Sequence, residues 1–500
     1  MPSFKDKFLR QLLLFCQLSP LLLLSLFMNQ VSEVRGDSEK PNILILLADN
    51  WAAPHASIMG DQLVKTPTFD TIARNGVYFN HAFCQVPSCS PSRAVLLTGK
   101  VSHQLGEGAN LWGNFPSYLS TFPLTLKNQE NYQVGFSIKG WGPGLYLGEQ
   151  QKSSTKATAS GQINPAGVRA ESFEKFLEGT GDQPFCFWFG SHDPHRPWTA
   201  EQQYYAGLTH EGVEVPGYLP DDPTVRWEIV DYYAEVQKFD AECGKLIELL
   251  KASGKYENTI VVMLGDNGWQ MPRGLANVYD WGTRVPLAIQ WPGRIKAGIE
   301  SNTFVSFEDI APTLFDLLGL STKSMTGDSF SRVLTGASLR HRDEVFLERE
   351  RHANVRQADA CYPCRAIRTR DYLWIWNISS DLYPAGDPET YWAVGPYGDI
   401  DNSHTKSLLL NGVNDPKLAP FRELAVGKRP EFELYDLRTD PWQINNVAGT
   451  PAYQRVERHL RSRVARWMKQ TNDPRSTKLR TDVFDKYDYY GSEAKELRPQ

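Results

Sequence analysis

Four short apolar runs, three of which end in a polar cluster, constrain the fold of this chain more than any other feature. Short apolar runs between polar flanks are typical of strands buried on both faces of a parallel sheet. Apolar residues at helical spacing within 239–250 predict a helix between the third and fourth runs, with Gly254 as its C-cap. Strands that alternate with helices predict an α/β fold whose mostly parallel sheet is flanked by helices. The runs are residues 42–47, 134–138, 185–190 and 259–264.

The polar residues after the first and fourth runs form a candidate metal site. Asp49 and Asn50 follow the first run, and Asp266 and Asn267 follow the fourth. Ligands of open α/β sheets bind beyond the carboxyl ends of the strands, so we expect these four side chains to converge. Their oxygen atoms suit a hard cation, and we predict a Ca²⁺ site, with Mg²⁺ as the other possibility.

The N-terminus has the pattern of an export signal. Three basic residues precede an apolar run at 12–28, and a polar stretch follows. This pattern is typical of a secretory signal peptide, and we predict that residues 1–36 are removed. A retained membrane anchor is the alternative, but Gln17 and Pro20 interrupt a run that would need about 20 apolar residues to span a bilayer. We expect an exported protein without stable membrane insertion after cleavage.

The charge balance excludes one class of partner. The formal net charge is -5 and the pI is about 6.1. Nucleic-acid binding normally requires a basic surplus or stripe, so no nucleic-acid partner is expected. An anionic substrate stays compatible with this balance, because the local charge of a pocket decides its binding.

The composition of the chain changes beyond about residue 340. Segments 372–376 and 432–437 look like strands among long loops, and 456–468 looks like a closing helix. We therefore predict a catalytic α/β domain at 37–345, a smaller C-terminal α+β subdomain at 346–485 and a polar tail at 486–500. Cys361 and Cys364 form a CxxC pair without a redox or zinc context, which predicts a local disulfide or two free thiols.

The most specific motif begins at Cys89. It reads C-S-P-S-R, ending at Arg93, and Leu-Thr-Gly follows at 97–99. This motif resembles the C-x-P-S-R signature of the sulfatase family, in which the cysteine is oxidised to formylglycine. The resemblance implies that a formylglycine-generating enzyme matures Cys89, that the product is both nucleophile and metal contact, and that Arg93 holds it.

An aldehyde at this position explains why a cysteine would be oxidised. A thiol that had taken up the sulfuryl group would have no easy way to release it as sulfate. An aldehyde hydrate, in contrast, carries two hydroxyls. One hydroxyl attacks the sulfate ester and takes the sulfuryl group, and the other then loses its proton, re-forms C=O and expels sulfate. A neighbouring cation would lower the pKa of the hydrate and neutralise the sulfate oxygens.

Two further segments resemble parts of the same family that contact the sulfate. The segment at 192–197 resembles H-D-P-H-x-P, which implies that His195 protonates the leaving alcohol and that His192 supports substrate binding. Lys139 matches a lysine that binds sulfate. Trp141 stands where the family usually has a histidine, so it either packs or stacks on a sugar, and another group would deprotonate the hydrate.

Two other positions depart from the family. Asn50 replaces the second aspartate of the usual pair, which keeps a carbonyl oxygen but removes one negative charge, so weaker metal binding is expected. Leu275 replaces a lysine or arginine, and the nearest cation, Arg273, is predicted to bind substrate instead.

The resemblance covers about 41–447 and is closest to the arylsulfatase and heparan N-sulfatase branch. It implies an alkaline-phosphatase-like α/β domain, a small C-terminal sheet domain, and a sulfated saccharide or aryl sulfate as substrate. Two alternatives stay open: a phosphatase or phosphodiesterase on the same fold, and a glycan-binding protein without catalysis. The complete C-x-P-S-R motif argues against the first, whereas the departures at Asn50, Trp141 and Leu275 keep the second open.

Overall fold

A nine-stranded sheet runs through the centre of the computed structural model, which describes residues 40–146, 163–389 and 395–489. The predicted signal peptide and all but the first four residues of the predicted polar tail lie outside these ranges. The strands, in chain order, are β1 Asn42–Ala48, β2 Val77–Phe83, β3 Asn114–Phe115, β4 Gln133–Ile138, β5 Leu145–Tyr146, β6 Ile163–Asn164, β7 Gly167–Arg169, β8 Phe185–Gly190, β9 Thr259–Gly265, β10 Leu287–Gln290, β11 Ile299–Ser306, β12 Glu344–Arg349, β13 Cys364–Thr369, β14 Tyr372–Asn377 and β15 Phe432–Asp436.

The order of the large sheet is β11-β2-β10-β9-β1-β8-β4-β7-β6. Its middle is parallel, since β1 pairs in parallel with both β8 and β9, and β8 pairs in parallel with β4. Only β10 and β6 run antiparallel to their neighbours within the described sheet. The four predicted apolar runs are therefore the four adjacent central strands, and the mostly parallel α/β fold is confirmed.

Strand β1 shows why these runs become central strands. All seven of its residues are buried, and alternate side chains enter opposite layers of the core. Ile43 and Ile45 join one hydrophobic cluster, whereas Leu44 and Leu46 join the other. A strand covered by apolar layers on both faces requires a continuous apolar sequence, which is the pattern that the chain provides.

Helices cover both faces of this sheet. Helix α2 (Cys89–Thr98) packs with the first cluster and helix α5 (Pro223–Ala252) with the second. The predicted helix is confirmed as the C-terminal part of α5, which ends at Ala252 with Gly254 in the left-handed conformation two residues on. The helices are α1 Pro67–Arg74, α2 Cys89–Thr98, α3 Phe122–Gln129, α4 Phe173–Glu178, α5 Pro223–Ala252, α6 Asp280–Thr283, α7 Ile310–Leu317, α8 Ser331–Leu334, α9 His404–Asn411, α10 Ala419–Val426 and α11 Gln454–Gln470.

A second, antiparallel sheet is formed by β12, β13, β14 and β15 in that order. Helix α11 covers one of its faces, where Val464 and Trp467 pack with Trp374 and Leu434. The other face packs with residues of the first part of the chain, among them Phe83. These elements form a small antiparallel α+β unit after the large sheet, as the sequence predicts, while the exact domain boundary stays a prediction.

Two sequence expectations concern single features. Cys361 and Cys364 are both buried free thiols, so the second of the two predicted states is the one observed. Among the described residues, no helix combines the length and apolar character that crossing a membrane requires.

Candidate active site

The two predicted metal-ligand pairs lie side by side. Strands β1 and β9 are parallel neighbours in which Ala48 pairs with Gly265, so the residues that follow leave the sheet together. The backbone N–H of Asn50 donates to Asp266 Oδ1 at 2.9 Å, and both Asp49 and Asp266 are fully buried. The convergence predicted from the strand ends is therefore present.

Asn50 and Asn267 complete this group with amide side chains. Asn50 has φ of 75°, a left-handed conformation that asparagine adopts more readily than most residues. Its Nδ2 donates to Asn267 Oδ1 at 3.0 Å and to the carbonyl of Gly268 at 3.2 Å. Its Oδ1 lies 3.8 Å from Cys89 Sγ, so the amide oxygen faces the centre of the group.

Cys89 is the first residue of α2, whose N-terminal end points into the same group. Its Sγ lies 3.2 Å from Asp49 Oδ1 and 3.7 Å from Asn267 Nδ2. Free N–H groups give the first turn of a helix a partial positive charge, which favours an anion at this point. Burial raises the pKa of the Cys89 thiol well above its ordinary value, and the charge of Asp49 adds to this effect. The unmodified thiol is therefore a poor nucleophile.

Two cations neutralise the two carboxylates. Arg93 Nε donates to Asp266 Oδ2 at 2.8 Å, and Lys139 Nζ forms an ion pair with Asp49. Arg93 is held in turn by the backbone carbonyl of Gly140, at 2.9 Å from its Nη1. Its buried Nη2 lies 3.7 Å from Asp49 Oδ1 and has no hydrogen-bond partner among the described residues. One guanidinium N–H group is therefore available to an oxygen atom placed beside Cys89.

The pKa values of the carboxylates move in opposite directions. Burial alone would raise the pKa of Asp49, but Lys139, His195 and Arg93 hold it well below its usual value. Burial and the negative charge of Asp49 raise the pKa of Asp266 to about 6. Two buried carboxylates that oppose each other's ionisation form an arrangement that a cation stabilises.

The donor atoms fit a hard divalent cation. One oxygen each of Asp49 and Asp266 and the sulfur of Cys89 lie within 4.8 Å of one another. Carboxylate and amide oxygens are the ligands that Ca²⁺ and Mg²⁺ prefer. Since Arg93 and Lys139 already balance the two carboxylates, an added cation would give the centre the surplus positive charge that an anionic substrate needs.

His195 lies in the loop after β8, half-buried beside this centre. Its Nδ1 is 2.6 Å from the carbonyl of Arg196, and its Nε2 is 3.2 Å from Gln270 Nε2. A neutral imidazole that donates from Nδ1 and accepts at Nε2 satisfies both contacts. His192, from the same loop, is exposed, yet partial burial and the nearby charge of Lys139 lower the pKa of its imidazole, so its ring lies close to the centre.

Trp141 packs behind the nucleophile position. Only 4% of its side chain is exposed, and its Nε1 donates to the carbonyl of Ser90 at 3.0 Å. Phe115 contacts the indole edge to face, with ring centroids 5.2 Å apart. Stacking on a sugar would require an exposed ring face, so of the two predicted roles the geometry favours packing.

Arg273 lies outside this group. Its guanidinium donates to the carbonyl of Gln443 at 2.6 Å and to that of Leu424 at 3.3 Å, and it lies 3.9 Å from the ring centroid of Tyr279. Only 2% of the residue is exposed. These contacts favour a structural role, in which Arg273 joins the loop after β9 to the C-terminal part of the chain, and its predicted contact with substrate stays a prediction.

Replacing Arg273 by alanine is expected to destabilise the protein by roughly 3 kcal/mol, because two buried carbonyls lose their donor. Urea unfolding measures this change, and KM for a sulfate ester should stay within about twofold of wild type where protein remains folded. Arg294→Ala, at a surface arginine, is the matched control and should leave stability unchanged. Unchanged stability together with a raised KM for Arg273→Ala would instead support the substrate-binding role.

Three polar residues near the centre were not predicted. Gln270 contacts His195 and accepts a hydrogen bond from the backbone N–H of Arg196 at 2.6 Å, while its own amide donates to Asp401. His352 Nδ1 lies 2.8 Å from the hydroxyl of Ser88, the residue before the nucleophile. All three come from loops, and Asp401 and His352 arrive from distant parts of the chain. Of the three, only Gln270 could have been suspected from the sequence, because it lies three residues after the predicted metal ligand Asn267.

Comparison with known proteins places these features in a family. The sulfatase family model matches residues 41–320, and the model for the C-terminal region of N-sulphoglucosamine sulphohydrolase matches residues 265–383. Human N-sulphoglucosamine sulphohydrolase is 27% identical over 472 residues, covering 87% of this chain and 91% of that protein. An ulvan-active sulfatase from Formosa agariphila is 24% identical over 473 residues, covering 87% of this chain and 76% of that protein.

Solved structures show the same fold. A structure described in complex with its substrate D-glucosamine-2-N,6-O-disulfate matches with a TM-score of 0.62 and 20% identity, covering 88% of this chain and 99% of that chain. The phosphonate monoester hydrolase of Agrobacterium radiobacter matches with a TM-score of 0.61 and 18% identity, covering 86% and 96%. The predicted alkaline-phosphatase-like architecture is thus confirmed.

Proposed function

Because the chain belongs to the sulfatase family and is a sulfuric ester hydrolase, we propose that it removes sulfate from sulfated glycans with a formylglycine made from Cys89 and a divalent cation. The match to the N-sulphoglucosamine sulphohydrolase model supports this substrate class, as does the similarity to the ulvan-active sulfatase. Aryl sulfates would serve as small substitutes. The group that is removed is an O-sulfate or an N-sulfate of the sugar.

One observation carries the proposal: the Cys89 side chain lies within contact distance of Asp49 and of the two strand-end amides. The nucleophile position and the proposed cation ligands Asp49, Asn50, Asp266 and Asn267 thus share one buried centre. When bound, Ca²⁺ or Mg²⁺ would supply positive charge that polarises the sulfate ester. The aldehyde form of residue 89 would supply the nucleophilic hydroxyl.

The remaining side chains bind and orient the anion. Lys139 and Arg93 approach the centre from two sides and would contact sulfate oxygens, with Arg93 Nη2 available for this purpose. Hydrogen bonds to charged groups contribute about 1.5–3 kcal/mol each, so two such cations bind sulfate strongly. Trp141 holds the backbone of Ser90 and thereby fixes the N-terminus of α2.

His195 is the proposed proton donor to the leaving group. The carbonyl of Arg196 holds its Nδ1 proton, which leaves Nε2 as the nitrogen that exchanges a proton with substrate. Gln270 Nε2 lies 3.2 Å from that nitrogen and would orient the ring in its neutral form, once the proton has passed to the leaving group. A protonated His195 would also favour the anionic substrate by its charge.

Export of the protein and oxidation of Cys89 are part of the same proposal. The basic and apolar N-terminal pattern supports export to a periplasmic, secreted or lysosome-like compartment. A formylglycine-generating enzyme would act on the C-S-P-S-R segment during this route. The partners proposed are therefore that enzyme and a sulfated saccharide.

Mass spectrometry and a paired hydrolysis assay test the function. After coexpression with a formylglycine-generating enzyme, the Cys89 peptide should show the mass of the aldehyde. The mature protein should hydrolyse 4-nitrophenyl sulfate faster than 4-nitrophenyl phosphate. A faster phosphate reaction would favour the phosphatase alternative, and an unmodified thiol without turnover would favour a glycan-binding protein.

Replacing Asn50 by aspartate is expected to have opposite effects with and without the cation. A third carboxylate beside Asp49 and Asp266, and the loss of two donated amide hydrogen bonds, should destabilise the cation-free protein by about 2 kcal/mol. The added charge should lower the Kd for Ca²⁺ about tenfold, since ligand charge strengthens such sites. Thermal unfolding across a Ca²⁺ titration measures both effects, and weaker Ca²⁺ binding would show that Asn50 is not a ligand.

A further inference from the structure

A cavity of about 590 Å³ adjoins His195. The N-terminal part of α5 lines it with Glu228 and Asp231, and the segment that leads into α9 lines it with Asp401 and His404. We call this cavity the His195 groove. Because it shares His195 with the proposed reaction centre, it is the space in which the sugar ring of a bound sulfate ester would lie.

Among the described residues that line the groove, the one arginine is already neutralised. Arg196 Nη1 lies 2.9 Å from Glu228 Oε1, and the two side chains are largely buried. The guanidinium also lies 3.4 Å from the ring centroid of Trp198, a stacked arrangement that fixes its plane. Arg196 therefore lines the groove with a flat guanidinium group whose charge is neutralised by Glu228.

Two carboxylates of the groove have neutral partners. Asp231 accepts a hydrogen bond from the hydroxyl of Tyr205 at 2.9 Å, and Asp401 accepts one from the amide of Gln270. The salt bridges found within the described residues involve neither of these carboxylates. The three carboxylates Glu228, Asp231 and Asp401 outnumber Arg196 and a protonated His195, so with His404 neutral the groove carries surplus negative charge.

This charge is opposite to that of the proposed reaction centre. Arg93 and Lys139, with the proposed cation, favour one anionic group beside Cys89, whereas Asp231 and Asp401 oppose a second anion in the groove. Carboxylates accept hydrogen bonds from sugar hydroxyls and pair with ammonium groups. They repel a second sulfate or a uronate carboxylate, and such like-charge contacts are a common basis of specificity.

We propose that the His195 groove selects a sugar whose only anionic group is the sulfate that is removed. This inference rests on the proposed function, because it places the sulfate in the centre around Cys89. It assigns Asp231 and Asp401 as specificity-determining residues. Polysulfated and uronate-bearing units would then be poor substrates, and singly sulfated units good ones.

A matched pair of sugars tests the selection. N-acetylglucosamine 6-sulfate and D-glucosamine-2-N,6-O-disulfate share the 6-sulfate and differ at nitrogen, where a neutral acetyl group replaces an anionic sulfo group. Whichever sulfate enters the centre, the disulfate must place its second anion elsewhere. Calorimetric titration of the full-length Cys89→Ala protein with Ca²⁺ present measures binding without turnover. We expect the singly charged sugar to bind about tenfold more tightly, with a smaller preference at high salt.

The double variant Asp231→Asn and Asp401→Asn, made in the same background, should bring the two Kd values within about twofold of each other. Glu248→Gln, at an exposed carboxylate 71% accessible on the same helix, is the matched control and should keep the wild-type preference. Equal or tighter binding of the disulfate by the parent protein, no detectable binding of the singly sulfated sugar, or an unchanged preference in the double variant would each overturn the inference.

Turnover of 4-nitrophenyl sulfate distinguishes a failure of this inference from a failure of the proposed function. A mature enzyme that is active, but whose Cys89→Ala form prefers the disulfate, overturns the groove inference alone. An inactive mature protein whose Cys89→Ala form binds the singly sulfated sugar preferentially overturns the catalytic proposal and supports the groove.

Discussion

Cys89→Ala is expected to lower kcat for an aryl sulfate by at least about 10⁴-fold, since removing a covalent nucleophile leaves only binding and electrostatic stabilisation. The fold should survive, because the change removes one sulfur atom from the first turn of α2 and leaves the Ser90 carbonyl with its Trp141 partner. Steady-state kinetics of the coexpressed proteins measures the loss, and circular dichroism checks the fold.

Cys186→Ala is the matched control for this experiment. Cys186 is an equally buried cysteine, but it lies in β8 and packs in the apolar core. Its replacement should cost about 1 kcal/mol of stability and leave kcat within about twofold of wild type. Residual activity of Cys89→Ala above a hundredth of the wild-type value would show that residue 89 is not the nucleophile.

Chelation with EDTA is expected to reduce turnover by at least about 100-fold, and added Ca²⁺ or Mg²⁺ should restore it. Asp49→Asn should have a similar effect that added cation does not reverse, because the variant removes the negative charge of a proposed ligand and the ion-pair partner of Lys139. Ca²⁺ at 100 times its Kd should stabilise the wild-type protein by about 2.7 kcal/mol, which thermal unfolding measures independently of activity.

The control for the chelation experiment is Asp343→Asn, whose carboxylate is 82% exposed and precedes β12. It should keep both its activity and its stabilisation by Ca²⁺. Full activity in a metal-free sample, verified by elemental analysis, would contradict the cation role and with it the assignment of Asp49 and Asp266.

The centre around Cys89 was predictable because local sequence determines it. The apolar runs become β1 and β9, and the parallel register brings the residues that follow each strand together without any information about loops. The C-x-P-S-R motif identified Cys89 and Arg93, and the structure places both on one helix. Residues at strand ends and at helix starts can therefore be located in the fold from the sequence pattern alone.

Residues on long loops could not be placed from sequence. Arg273 looked like a replacement for the cation missing at Leu275, yet its backbone has φ of 65° and its side chain meets Gln443. Asp401 reaches Gln270 from a segment more than a hundred residues away, and no periodicity marks either residue. The first half of α5 was missed for a related reason: it buries polar residues such as Glu228, which interrupt the apolar spacing.

Helix α5 connects the proposed reaction centre to the His195 groove. The hydroxyl of Tyr232 donates to the carbonyl of Asn50 at 3.1 Å and accepts from the N–H of Ala52 at 3.0 Å, while Asp231, one residue earlier, faces the groove. One helix therefore fixes the distance between the proposed cation ligand Asn50 and the cavity proposed to hold the sugar. Substitutions along α5 could therefore adapt the groove to another glycan without changing the distance between the groove and the proposed reaction centre.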